Sequence, residues 1–154
     1  MRKYTFLLLF FAFIFLNINP LKSTVHLINA GNFYYIDQNT GTQSSVIIEG
    51  DTVIWLRDAG FHNVNFDINT ITGNSFNNPV SFASIPTNND TIYTYVFTVP
   101  GFYQYDCSVG SHAANGMIGD IDVLNLITGC TDSTACNYDP NANSNDSCVY
   151  NVNL

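Results

Sequence analysis

The chain has 154 residues, of which 14% are aromatic and only 10% charged, with a formal net charge of −8. That length allows one domain with a sizeable core plus short appendages. A surface so poor in Lys and Arg excludes nucleic acid and anionic membranes as partners, because both demand basic surface.

At the start of the chain, Arg2 and Lys3 precede an apolar run of eleven residues from Phe6 to Leu16, followed by Asn17, Asn19 and Pro20. Such a run is too short to span a bilayer and suits the apolar region of a secretory signal. Residues 1–23 therefore read as a signal peptide, cleaved near Ser23, that sends the protein to the periplasm, the cell surface or the medium and leaves no membrane span behind. Cleavage removes Arg2, Lys3 and Lys22, leaving Arg57 alone against twelve acids, a formal net charge of −11. That balance favours solubility and a basic protein partner.

From about residue 24 to residue 126 the pattern is β throughout. Short runs rich in Val, Ile, Tyr, Phe and Thr are separated by Gly, Asn, Asp and Pro. Candidate strands fall at 25–29, 32–37, 45–49, 52–57, 63–67, 91–98, 101–106 and 118–126, with turn signals at Glu49-Gly-Asp-Thr52 and Val99-Pro-Gly-Phe102. Eight short strands in about a hundred residues predict an all-β, Greek-key sandwich or barrel. In the run after Asp90, Tyr93, Tyr95, Phe97 and Val99 share one side, while Ile92, Thr94, Val96 and Thr98 share the other. Trp55 reads as a core residue. Residues 68–87, rich in Asn, Ser and Thr, read as an irregular excursion to which no chemistry is attached. His26, on the first strand, reads as incidental.

Composition shifts abruptly at Gly129. The remainder is loop-forming and nearly devoid of apolar residues, so residues 24–128 are expected to form one domain and 129–154 a separate cysteine-stapled tail. Asp132, Asp139 and Asp146 lack the alternating oxygen ligands of an EF-hand loop. Export would place all four cysteines in an oxidising compartment. Cys130, Cys136 and Cys148 cluster in the tail, whereas Cys107 stands apart. If Cys107 binds metal, one internal disulfide and one unpaired thiol remain.

The densest chemistry lies between residues 105 and 119, where Cys107, His112 and Met117 follow one another as C-x4-H-x4-M. A thiolate, an imidazole and a thioether form a soft donor set that selects copper over magnesium, calcium or manganese. His62 is the natural second imidazole. Cys107 ends a strand, so the sheet fixes its direction, and the other donors come from loops at the same end. Zinc rarely recruits Met, and a Cys–His nucleophile would leave Met117 and His62 without a role.

With their flanks, Gly50-Asp-Thr-Val-Ile-Trp55, Gly60-Phe-His-Asn-Val-Asn-Phe-Asp67 and Val99-Pro-Gly-Phe-Tyr-Gln-Tyr-Asp-Cys107, these residues resemble the plastocyanin- and azurin-like cupredoxins over nearly all of residues 24–126. The resemblance implies an eight-stranded Greek-key β-sandwich holding one mononuclear type 1 (blue) copper on His62, Cys107, His112 and Met117. Asn63 would brace the cysteine loop. The chain places four residues between Cys107 and His112, as azurin-like members do, where plastocyanin-like loops usually place two. Phe61 stands where plastocyanins commonly have proline. The tail resembles a short repeat of secreted bacterial modular proteins.

The expected function is therefore that of an extracytoplasmic blue copper protein, not an enzyme, carrying single electrons between redox partners. Electrons would enter at His112, with Phe61, Ala113 and Ala114 forming a small apolar docking surface. The partner would be a basic, cytochrome-like redox protein, and the chain itself a monomer. The alternatives are a copper-binding or delivery module, and a non-catalytic surface or adhesion domain of a secreted protein.

Overall fold

A computed structural model describes residues 23–151. The proposed signal peptide lies almost wholly outside the described residues. Among the described residues, no helix is long and apolar enough to cross a membrane.

Two sheets face each other. The first comprises β1 (Val25–Gly31), β2 (Tyr34–Asp37), β4 (Thr52–Arg57) and β5 (Thr91–Val96), in the order β2-β1-β4-β5. The second comprises β3 (Ser44–Ile48), β6 (Gly101–Asp106) and β7 (Ile118–Leu124), in the order β3-β7-β6. Parallel pairing of β1 with β4, which sets Ile28 opposite Trp55, and of β3 with β7 makes the chain cross repeatedly between sheets. This is the Greek-key β-sandwich that the strand spacing predicts.

Seven of the eight predicted runs form these strands. The eighth, at 63–67, is held differently. Asn65 exchanges two main-chain hydrogen bonds with Asp106, at 2.9 and 3.0 Å, while His62 and Thr87 exchange two of their own. The segment is thus bonded on both sides, at the end of β6, without a continuous ladder. The reason lies in its side chains. His62, Asn63 and Asn65 are all buried, and each polar group bonds to nearby main chain or side chain. Those local bonds compete with regular pairing.

The core is aromatic. Trp55, fully buried, lies 5.7 Å from Tyr105, 5.8 Å from Phe66, 6.4 Å from Tyr93 and 6.5 Å from Phe97 between ring centroids. Withdrawing each such side chain from water contributes about 1.5–3 kcal/mol. The alternation in β5 holds for Tyr93 and Tyr95, which pack on the core, and for outward Val96, but Ile92 is also buried and Val99 is exposed in the turn that follows. Residues 68–87 are irregular yet anchored. Phe82 stacks on Tyr95 at 4.0 Å and on Phe66 at 4.5 Å, so this excursion closes one side of the core.

In the tail, Cys130 and Cys148 form a disulfide and Cys136 is free and exposed, while Cys107 is free and buried. The two-residue strands β8 (Thr128–Gly129) and β9 (Ser144–Asn145) pair in parallel. His26 lies at the start of β1, with Nε2 3.0 Å from the Asp51 carboxylate.

Candidate metal centre

The site is built where β6 ends. Pairing with β7 fixes the strand through Asp106, opposite Ile118, and the next residue is Cys107. Its N–H donates to the Met117 carbonyl at 3.1 Å, and the Met117 N–H donates to the His112 carbonyl at 3.0 Å. These two bonds fold residues 107–117 into one closed loop that brings Met117 beside both neighbours. A single 3₁₀ turn, Ala113–Asn115, is ended by Gly116 in the left-handed conformation, with φ 104°. Glycine adopts that conformation without the penalty a side chain would carry. Gln43 donates from its amide to the Gly116 carbonyl at 2.8 Å, tying the loop to the β2–β3 connection.

The four residues between Cys107 and His112 are accommodated by a second turn. The His112 N–H donates to the Val109 carbonyl, and exposed Gly110 takes φ 52°. The extra length therefore bulges outward, and His112 still returns over the cysteine.

His62 arrives from the doubly bonded segment and is fully buried. Its Nε2 donates to the Ala59 carbonyl at 2.7 Å. A carbonyl only accepts, so Nε2 carries the proton and Nδ1 presents a lone pair inward. His62 Nδ1 lies 3.1 Å from His112 Nδ1 and 3.8 Å from Cys107 Sγ, and His112 Nδ1 lies 3.4 Å from that sulfur. A point equidistant from the three atoms is roughly 2.0 Å from each, which matches the bonds first-row metals make to imidazole and is slightly short for thiolate. Three donors aimed at one point repel one another unless a cation or protons stand between them.

Met117, fully buried and joined through its main chain to both Cys107 and His112, would add a thioether to this N,N,S set. Two imidazoles and a thiolate in a near-equilateral triangle, with a thioether at hand, suit copper; zinc prefers a closed tetrahedron of Cys and His. The set fits one type 1 copper. No other cluster of three potential ligands from His, Cys, Asp and Glu occurs among the described residues.

The residue next to His62 clamps the cysteine loop. Asn63 Oδ1 accepts the Ser108 N–H at 2.9 Å, and its Nδ2 donates to the Ser108 hydroxyl at 2.9 Å and to the Ser84 carbonyl at 3.3 Å. One buried side chain thus joins three segments around the donors.

Of the expected docking residues, Phe61 is 50% exposed and Ala114 is exposed, but Ala113 is only 3% exposed. The 3₁₀ turn directs Ala113 inward, so it supports the loop instead of presenting surface. Sequence reasoning missed Phe33. This residue is 43% exposed and sets its ring at 79° to the His112 imidazole, 5.4 Å between centroids. Its φ of 71° is uncommon for a bulky residue. The turn is held in place beside it, where the Tyr34 hydroxyl donates to the Asp58 carboxylate at 2.9 Å.

Burial pushes the His62 pKa below its ordinary value of 6.5; the Ala59 bond opposes this, and the nearby positive charges of His112 and Arg57 add to it. The unfolded chain then takes up a proton near pH 6.5 that the folded chain refuses. Stability from this source is complete above that pH and declines as the pH falls through it. The metal-free protein is expected to melt at a lower temperature at pH 5.5 than at pH 7.5, with a smaller difference in His62→Gln, as followed by circular dichroism.

The model of the family described as copper binding proteins, plastocyanin/azurin family, matches residues 39–124. Among solved structures the chain is similar to mutants of amicyanin. An oxidised form shares 21% identity over 63% of this chain and 79% of that one, with TM-score 0.44. A reduced form shares 24% identity over 66% and 81%, with TM-score 0.42. A reduced Cu(I) form at pH 4 shares 21% identity over 68% and 86%, with TM-score 0.46. No curated protein matches the chain.

Proposed function

The chain belongs to the plastocyanin/azurin family of copper-binding proteins, and on that premise we propose that it carries single electrons between redox partners through one copper held by His62, Cys107, His112 and Met117. The observation that carries this reading is the convergence of His62 Nδ1, His112 Nδ1 and Cys107 Sγ, 3.1–3.8 Å apart. Copper, when bound, supplies a one-electron couple between Cu(I) and Cu(II).

Each residue has a part in that chemistry. His62, locked by Ala59 in one tautomer, and Cys107, fixed by β6 and Asn63, keep their donor atoms in place whichever oxidation state is present. A site that does not move has little to reorganise when an electron arrives. Four donors from the chain leave no position open for a substrate, which supports a carrier and not an enzyme.

His112 is the partly exposed ligand and the expected point of electron entry. Phe33, edge-on to its ring, and exposed Phe61 and Ala114, each within two residues of a histidine donor in sequence, would offer a small apolar surface of the kind that serves weak, transient encounters. The excess of acids favours a basic partner, such as a cytochrome-like protein, through steering. We further propose that residues 1–23 export the chain, that 24–128 act as a monomeric copper domain, and that 129–154 form a separate surface module.

The test is direct. Purified protein given Cu(II) is expected to develop an intense blue absorption that bleaches with ascorbate and returns on reoxidation. A colourless protein sinks the proposal. Copper that binds but is readily lost to a competing chelator, without redox cycling, indicates delivery instead.

A further inference from the structure

Of the buried acids Asp37, Asp51 and Asp106, one adjoins the donor triangle in sequence. Asp106, the last residue of β6, is 1% exposed. Side chains alternate along a strand, so Asp106 points to the face opposite Tyr105 and Cys107, where solvent would normally lie. The turn that follows Asp67 covers it. Asp106 Oδ1 accepts from Asn65 Nδ2 at 2.7 Å and from the Thr70 hydroxyl at 2.9 Å, and Oδ2 accepts from the Thr70 N–H at 2.7 Å. Every partner is a donor, as an ionised carboxylate requires.

Among the described residues no cation pairs with it; the ion pairs there are Arg57 with Asp90 and His26 with Asp51. Burying a charge with only dipoles around it is unfavourable, and stability alone gives no reason to retain it. Its position supplies one. Asp106 is joined by a single peptide bond to Cys107, and its main chain exchanges two hydrogen bonds with Asn65, two residues beyond the Asn63 clamp.

We propose that Asp106 is a positioning residue for the copper site: its anchorage to Asn65 and Thr70 fixes where β6 delivers Cys107, and its fixed negative charge lowers the reduction potential by favouring the more positive, oxidised ion. The inference rests on the copper reading above. In a site shielded from water a neighbouring charge is weakly screened, so the oxidised form gains more than the reduced one.

The experiment compares copper-loaded wild type, Asp106→Asn and Thr70→Val by redox titration of the blue band. Asp106→Asn removes the charge at nearly constant shape. It is expected to shift the ratio of reduced to oxidised protein at fixed potential by about tenfold towards reduced, a rise of about 59 mV for one electron. Thr70→Val keeps the charge and removes one donor that offsets it, so the potential is expected to fall. Anchorage alone, with no effect of the charge, would move both variants the same way, and that outcome overturns the proposal. So does an unmoved potential in Asp106→Asn. Should Asp106→Asn fail to fold, Thr70→Val decides alone: a lower potential supports the proposal, an equal or higher one overturns it. A colourless wild type overturns both this inference and the copper reading, whereas a blue wild type with no shift overturns this one only.

Discussion

Cys107→Ser, purified and given Cu(II), is expected to show none of the intense visible absorption of the parent protein. The band arises from charge transfer between a thiolate and Cu(II), and a serine hydroxyl neither ionises at neutral pH nor offers soft sulfur electrons. The substitution is small and the position fully buried. The new hydroxyl sits near His112 Nδ1, which lies 3.4 Å from the sulfur in the parent chain, so it has a hydrogen-bond partner. The metal-free variant should therefore melt within about 1–2 kcal/mol of the parent. Loss of colour with retention of fold separates a ligand from a packing residue. Cys136→Ser is the control. That thiol is exposed in the tail and outside the donor triangle, so its removal should leave the spectrum unchanged. Colour surviving in Cys107→Ser would overturn the ligand assignment.

The donors were legible in the sequence because they are chemically rare and their flanks are periodic. One Cys, one His and one Met within eleven residues, bracketed by alternating strands, leave few other uses for the sulfur. The strands were legible for the same reason, since β-branched and aromatic residues alternate cleanly in β4 and β6. The tail's arithmetic of one pair and one free thiol also followed, but spacing alone could not choose Cys148 over Cys136 as the partner of Cys130. Other features depend on tertiary context. Phe33 occupies a left-handed turn position that usually selects Gly or Asn, so nothing in Asn32-Phe33 announces an aromatic laid against His112. Asp106 stands at a strand position that normally faces water, and only the turn at Thr70 buries it. Ala113 reads as exposed loop until the 3₁₀ turn is seen to direct it inward. In residues 63–67, alternation of Val64 and Phe66 was the right signal for the core face. It could not reveal that the polar residues between them bond locally and interrupt the ladder.

Gly60→Ala tests how far the site depends on main chain outside the donors. Gly60 has φ +85°, a conformation that disfavours any side chain by about 1–2 kcal/mol. A methyl group there would also lie 2.5 Å from His62 Nε2 and 2.8 Å from Asn32 Oδ1. Neither contact is tolerable, and the imidazole is enclosed by packed neighbours, so the Ala59–Gly60 turn or the ring must shift. Either movement breaks the 2.7 Å bond between Nε2 and the Ala59 carbonyl. That bond fixes the tautomer, and without it Nδ1 is free to take the proton and lose its lone pair for metal. Losing an outer partner of a metal-bound histidine typically weakens binding about 10–100-fold. Gly60→Ala is accordingly expected to bind copper at least tenfold more weakly in a chelator competition, and to melt earlier even without metal. His62→Gln separates the two effects, because it removes the ring that the methyl group strikes. In that background Gly60→Ala should lose stability only through its backbone conformation and the Asn32 contact. An equal loss in both backgrounds would mean that the turn, and not the imidazole, is what Gly60 protects.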